Sequence, residues 1–301
     1  MPNPPTITVV ICARNAAGQI AGALRGAMAQ FYPARAVKVL VVDNGSTDGT
    51  AEIAMEHGAI VRAWKRPGVA GARDFGWRRC RSDLVAFLDA DCEPPADWLH
   101  RAAQALAARP RLAAVGARLV SPEPTTLAER HIVEARILDT DRCWERTPLQ
   151  FPFVVTAGMV IRRAALEEVG GFDLTLGRAA GEDADLCWRL VRAGWEIDYL
   201  REIEIVHRHR ATIPAMLRQV HWYGGGSAAL FARWRKELGW RRYTDRSPPR
   251  RLLRGLTGAL PAFVAENDSY KRWAPTLEAL DAAAFLAGKW RGSLKYRVPF
   301  F

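Results

Sequence analysis

Residues 87–95, FLDADCEPP, place Asp89, Asp91 and Glu93 at alternate positions directly after the apolar run LVAFL. Carrying charge into a buried strand is costly unless the charge is paired or bound to metal. Two carboxylates two residues apart can offer oxygens to a hard divalent cation, Mn2+ or Mg2+, that keeps positions open for phosphate oxygens. A cation held there neutralises a diphosphate as it departs. A second acid pair, Glu182-Asp183 in GEDADLCWRL, falls at an expected helix start. The helix macrodipole favours negative charge at that point. Free N–H groups there are expected to keep Asp183 ionised near neutral pH, fit to serve as general base on a hydroxyl. Each cluster alone has a plainer reading, since D-x-D is common and acidic first turns stabilise helices.

The elements that must position these acids follow from the apolar pattern. β-branched runs at 7–13, 37–42 and 84–88 read as buried strands, with helical spacing at 17–30, 48–57 and 70–80 between them. Alternation at this pitch predicts βαβ units and a mostly parallel, open twisted sheet flanked by helices. In NGSTDGT (44–50), Thr47 or Asp48 is the expected helix N-cap. Ligands of such sheets bind beyond the carboxyl ends of the strands. Arg14, Asn15, Asp43, Asn44, Asp89 and Asp91 stand at those ends. Further on, the pattern predicts helices at 94–110 and 126–138, strands at 111–120 and 151–163, and a short helix ending at Gly170-Gly171. Next come a helix over 182–194 and two short strands, WEIDYL and EIEIVH. From 211 the chain reads as helical, broken at Gly224–Gly226 and at 247–251.

Neither ICARNAAGQIAG nor DNGSTDGTAE is G-x-G-x-x-G, and no G-x-x-x-x-G-K-[ST] occurs, which disfavours dinucleotide and P-loop chemistry. Five scattered cysteines with no Cys-x-x-Cys pair argue for a reducing compartment. MPNPPTITVV has no signal-peptide pattern, and no run approaches the roughly 18 apolar residues of a membrane span. A cytoplasmic protein, peripheral at most on the inner face of the membrane, is therefore expected. The net charge of +11 is uneven: residues 207–301 hold 18 Lys+Arg against 6 Asp+Glu, or +12, and residues 1–206 hold 25 against 26, or −1. Such asymmetry points to an anionic partner at one end or to a solvated basic face.

VVICARN, VLVVDNGSTDGT, GARDFG, LVAFLDADCEPPADWL, VGGFD and GEDADLCWRL occur in the order found in family 2 glycosyltransferases, and over residues 6–210 the chain resembles that family. The resemblance implies a GT-A fold whose first half is a Rossmann-like nucleotide-binding unit. It implies transfer of a sugar, with inversion, from a nucleoside diphosphate, often uridine diphosphate, to an acceptor hydroxyl. Asp43 would then hydrogen-bond the base, Ala13 and Arg14 would line its pocket, and Arg73 would contact base or diphosphate. Asp89 would take the ribose or the outer shell of the metal, Asp91 would bind Mn2+ or Mg2+, and Asp183 would be the base. VHRHR (206–210) lies where relatives supply a histidine to that metal. His207 is preferred over His209 because it ends the strand, and Arg208 and Arg210 would help hold the diphosphate. Asp74 stands where relatives often have Asn. Ala157, Gly158 and Glu182, with Asp89, are donor- or acceptor-site candidates.

The expected organisation is a catalytic domain over 1–210, made of a nucleotide-binding half (1–120) and an acceptor half (121–210). A basic, Trp-rich helical extension follows over 211–301. Processive relatives carry Gln-x-x-Arg-Trp after the base. Here RQVHWYGGG has Gln219 and Trp222 without the Arg, so a single transfer to a glycan, lipid-linked or small-molecule acceptor is expected. Trp, Leu and Arg at helical spacing in 215–243, and again in 276–301, could lie on an anionic membrane or pack on the catalytic domain. Two rival readings were weighed. A catalytically silent nucleotide-sugar-binding protein need not keep both Asp91 and Asp183. A nucleic-acid-binding protein leaves the acidic strand ends unexplained, and no nucleic-acid motif is present.

Overall fold

A computed structural model describes residues 4–66, 68–145, 151–176, 180–237 and 247–299. Its strands are β1 (Ile7–Ala13), β2 (Val37–Asp43), β3 (Ile60–Ala63), β4 (Leu84–Asp89), β5 (Cys92–Glu93), β6 (Leu112–Val120), β7 (Gly158–Arg162) and β8 (Glu196–His207). The α-helices are α1 (Ile20–Met28), α2 (Thr50–Glu56), α3 (Val69–Trp77), α4 (Trp98–Ala108), α5 (Leu127–Glu134), α6 (Thr140–Trp144), α7 (Arg163–Glu168), α8 (Glu182–Arg192), α9 (Ile213–Trp234), α10 (Ser247–Ala265) and α11 (Ser269–Tyr296).

The strands form one sheet of order β3-β2-β1-β4-β7-β6-β8-β5. The first four are parallel, β7 runs antiparallel to both its neighbours, β6 and β8 are parallel, and β5 closes antiparallel on β8. Helices cover both faces, so β4 is buried on both sides and reads as a continuous apolar run. Leu84, Ala86 and Leu88 pack with Ile20, Leu24 and Trp98, while Val85 and Phe87 pack with Trp77, Met159 and Trp188.

The curl of this sheet builds the site. Four strand spacings separate β4 from β5 in the sheet order, about 19 Å if the sheet were flat. Only Ala90 and Asp91 join them along the chain, a reach of about 11 Å from Asp89 to Cys92. The far end of the sheet therefore bends back over the carboxyl end of β4, bringing the end of β8 with it.

Several expectations are corrected. The strand predicted over 151–163 starts only at Gly158, and the two strands predicted over 195–207 are one strand with an irregular register against β6. The N-cap of α2 is Gly49, with Asp48 accepting from the Thr50 N–H just inside the helix. Gly224–Gly226 do not break α9. They lie inside it at a close helix crossing, where a Cβ on Gly224 would collide with the Phe285 carbonyl and one on Gly226 with the Ala180 carbonyl. Likewise 247–251 opens α10 rather than interrupting a helix.

The region beyond 210 packs onto the rest. Ala228, Phe231 and Trp234 of α9 join the core that holds Phe87 and Trp188, and the Trp234 indole donates to Asp185 Oδ1 at 3.0 Å. The buried His131 of α5 meets Asp281 Oδ2 of α11 at 2.7 Å. Among the described residues no helix is long and apolar enough to cross a membrane.

Candidate active site

The loops after β1 and β2 brace each other. Asn15, in the left-handed region at φ 50° that Asn tolerates better than most residues, accepts from the Thr47 N–H at 2.8 Å and donates its own N–H to Ser46 Oγ at 3.0 Å. Asn44 N–H donates to the Ala13 carbonyl at 2.8 Å, and Ser46 N–H to Asp43 Oδ1 at 3.1 Å. Ala16 N–H reaches Thr50 Oγ1 and Ala17 N–H reaches Asp48 Oδ2. Buried Ala13, exposed Arg14 and half-buried Asp43 thus share one fixed rim, as the strand-end pattern predicted.

Arg73 of α3 ties the acids of two distant segments. Its guanidinium donates through Nη2 to Asp89 Oδ1 at 2.7 Å and through Nη1 to Glu182 Oε1. Burial works against its charge, but Asp89 and Glu182 outweigh it and push the guanidinium above its ordinary range. Arg73 is therefore engaged within the protein rather than free for a base or diphosphate. Asp74 beside it holds scaffold, accepting from the Trp77 indole, Arg78 and the Phe172 N–H.

Gly181, at φ 109°, turns the chain into α8 in a conformation that only glycine adopts cheaply, and so sets where the acid pair points. Burial pushes Glu182 up to about 7, against the lowering pull of Arg73 and with Asp183 adding to the rise. Glu182 Oε2 is buried and lacks a hydrogen-bond partner among the described residues. Asp183 accepts from the Ala184 N–H at 2.9 Å. Its carboxyl is raised above the ordinary range by burial, which outweighs Arg73 and the backbone N–H groups. The backbone N–H groups at the helix start do lower it, as expected, but desolvation is the larger effect.

The third corner is built by the β5–β8 pairing, which sets Cys92 opposite His207. Asp91 Oδ1 lies 3.6 Å from His207 Nε2, and Arg210 Nη1 lies 3.4 Å from Asp91 Oδ2. Ligand atoms of Asp91, Cys92 and His207 all fall within 4.8 Å of one another. Two ligands about 2.1 Å from one ion stand roughly 3 Å apart when adjacent and about 4.2 Å apart when opposite. The Asp91–His207 separation fits between those limits. A thiolate is a soft donor, so the Asp91 carboxylate and the His207 imidazole are the donors suited to a hard divalent ion. His209 stands behind His207: its Nδ1 lies 3.2 Å from His207 Nδ1 and its Nε2 2.5 Å from Ser121 Oγ, and burial together with His207 pushes it down to about 4.

Other expected residues find different partners. Both Nε and Nη2 of Arg208 reach Glu93 Oε1, at 3.0 and 2.8 Å, so Arg208 is spent on Glu93 while Arg210 faces Asp91. Ala157 and Gly158 are buried, and Gly158 is required by packing because a Cβ there would press on Ile205 Cδ1 at 2.7 Å. Sequence reasoning missed Cys92, although it adjoins Asp91. It also missed Tyr223, whose hydroxyl accepts from Gln219 at 2.8 Å and whose phenol is raised by burial, with the Asp183 and Asp89 charges adding to the rise. The i,i+4 spacing of Gln219 and Tyr223 could have flagged that pair. Nothing local could have flagged Arg73–Glu182, which are 109 residues apart.

Comparison with known proteins bears on the family and the fold. The model of the glycosyl transferase family 2 matches residues 8–170. A pre-mycofactocin glycosyltransferase of Mycobacterium tuberculosis is 32% identical over 252 residues, which is 77% of this chain and 50% of that protein. The chain thus spans half the length of that relative. The solved structure of a mannosyltransferase from Pyrobaculum calidifontis, in complex with GDP-Man and Mn2+, superposes with a TM-score of 0.64 at 22% identity, covering 96% of this chain and 88% of that one. Glucosyl-3-phosphoglycerate synthase from Mycobacterium tuberculosis, in complex with Mn2+, UDP-Glc and phosphoglyceric acid, gives 0.54 at 20% identity, covering 78% and 80%. At such identities the likeness establishes the fold, the GT-A fold expected from the motifs.

Proposed function

This chain belongs to glycosyl transferase family 2, and from that premise we propose that it transfers a single sugar, with inversion, from a nucleoside-diphosphate sugar to an acceptor hydroxyl. The observation that carries the reading is the convergence of four carboxylates beyond the carboxyl end of β4. Asp89 and Glu182 are bridged by Arg73, Asp183 follows Glu182, and Asp91 faces His207 and Arg210.

In this reading Asp43, Ala13 and Arg14 hold the base, and Asp89 takes the ribose. Asp91 and His207 hold a divalent cation, Mn2+ or Mg2+, which when bound offsets negative charge on the diphosphate. Arg210 adds a guanidinium suited to phosphate oxygens. Asp183 removes the proton of the acceptor hydroxyl as it attacks the anomeric carbon from the face opposite the diphosphate. Its raised affinity for a proton makes it a stronger base than an exposed aspartate once it is ionised. The unpartnered Oε2 of Glu182 can accept a sugar hydroxyl beside it. Gln219 without a following Arg supports a non-processive transfer.

The resemblance favours a UDP-sugar, while the mannosyltransferase neighbour binds GDP-Man. The test is therefore a panel of UDP- and GDP-sugars with Mn2+, scored by nucleotide release with glycan, lipid-linked and small-molecule acceptors. Asp91→Ala and Asp183→Asn serve as controls. The reading is lost if no donor is turned over and neither UDP nor GDP with Mn2+ raises the melting temperature.

A further inference from the structure

Among the described residues of the Trp-rich stretch 215–243, Phe231 and Trp234 of α9 are buried in the core and Trp222 is exposed; residues 238–243 lie outside the described residues, as do 300 and 301 of the second candidate stretch. A continuous exposed apolar stripe belongs to α10. That helix packs on α11 through small residues, with Gly255 against Pro275 and Ala279 and Gly258 against Pro275. Its opposite face shows Leu253, Leu256, Leu260 and Val264 at 64, 63, 73 and 79% exposure. Spacings of three, seven and eleven residues keep all four on one stripe of an α-helix, about 17 Å long. Phe263, 53% exposed, carries the stripe onto Trp273 of α11, with ring centroids 5.8 Å apart and edge to face.

The span around the stripe is net positive, with nine Lys+Arg against four Asp+Glu across 247–299. Its exposed charged residues are Arg250, Arg254, Lys271, Arg291, Lys295 and Arg297. Glu266 is half-buried just past the stripe, and the other three acids are drawn inward or paired. Asp281 is buried between His131 and Arg251, Glu278 is bonded by Arg254, and Asp268 accepts from the Lys271 N–H. A second copy of the chain would set this cationic rim against itself, and juxtaposed like charges oppose association. An anionic bilayer satisfies both features at once. A helix in the interface plane buries an apolar face at the acyl boundary while its cations meet headgroup phosphates.

We propose that α10, with Phe263 and Trp273 at one end, is an in-plane anchor that seats its Leu253–Val264 stripe in an anionic lipid bilayer. The surface lies outside the candidate active site, and the proposal does not depend on which sugar is moved.

The test uses the full chain and sedimentation with vesicles of equal parts phosphatidylglycerol and phosphatidylcholine. Binding is expected, falling about tenfold with Leu256→Glu/Leu260→Glu and weakening as salt screens the cations. Pure phosphatidylcholine vesicles should bind far less. Both substitutions are at exposed positions, so circular dichroism and the melting temperature should stay unchanged and exclude unfolding as the cause. Equal binding by the double variant overturns the proposal. So does a wild-type dimer in gel filtration that the double variant dissociates, with no vesicle binding by either, because a second copy would then cover the stripe.

Discussion

The two acidic corners of the site neutralise their charge in opposite ways. Around Arg73 the protein supplies its own cation, deep enough that Asp89 and Glu182 both bond one guanidinium. At the β5–β8 corner, Asp91 faces a histidine that carries charge only when protonated and an arginine 42% exposed at its side chain. The first corner is a closed electrostatic unit that fixes the distance between β4 and α8. In the proposed reading, the second would be completed by a divalent ion and a diphosphate. Buried ion pairs cost a great deal when one partner is removed, whereas an open ligand pair can be altered without unfolding its surroundings.

The comparison is probed hardest where the two corners meet the chemistry. Asp183→Asn keeps the shape but removes the proton acceptor, so kcat is expected to fall on the order of 10³-fold with the donor's Kd nearly unchanged. Single-turnover rates and nucleotide titration check this, and an unchanged kcat would remove Asp183 from the mechanism. Arg73→Met should act on stability first. It leaves Asp89 and Glu182 without their shared cation, and a loss of about 3–5 kcal/mol in urea unfolding is expected. A loss below about 1 kcal/mol, within what exposed pairs give, would show that the Arg73 corner is not the closed unit described.

A smaller effect separates the histidines. His207→Ala removes the proposed ligand and should weaken Mn2+ binding by roughly a hundredfold or more, while His209→Ala, which removes the imidazole whose Nδ1 lies 3.2 Å from His207 Nδ1, should weaken it by roughly tenfold. Titration calorimetry of Mn2+ in the presence of UDP reads both. Equal losses would mean that the pair acts as one ligand unit and that strand position does not select between them.

These corners differ in how far sequence could reveal them. The β1, β2 and β4 ends were legible because each apolar run stops at a polar residue, and the period of the run dictates where the strand leaves the core. His207 was legible by the same rule. The Arg73 link was not, because the partners belong to different helices and only the curl of the sheet and the Gly181 turn bring them together. The tail left two readings open for a related reason. Trp and Arg at helical spacing in α9 look amphipathic, but there Phe231 and Trp234 are buried while Trp222 is exposed. In α10 the small residues Gly255 and Gly258 mark the packed face, and Leu253, Leu256 and Leu260 are left outside.

The finest test concerns the acid pair itself. A base works only when ionised, so burial of Asp183 places the acid limb of kcat/KM above the ordinary carboxylate range near pH 4. Glu182, raised to about 7 by burial with the Asp183 charge adding to the rise, is still neutral where Asp183 first ionises, so Glu182→Gln removes no charge there. The limb should therefore stay in place while the maximal rate changes little. Stability supplies an independent sign check. Glu182 is raised to about 7 in the folded chain, from about 4.3 when unfolded. The folded state therefore favours its neutral form, and this contribution is complete below about pH 4 and is lost as pH rises through 7. The melting temperature of the wild type should decline across that window, and Glu182→Gln should flatten the decline. If instead the limb moves to lower pH, Glu182 is charged when Asp183 ionises, and the order of ionisation described for the acid pair is overturned.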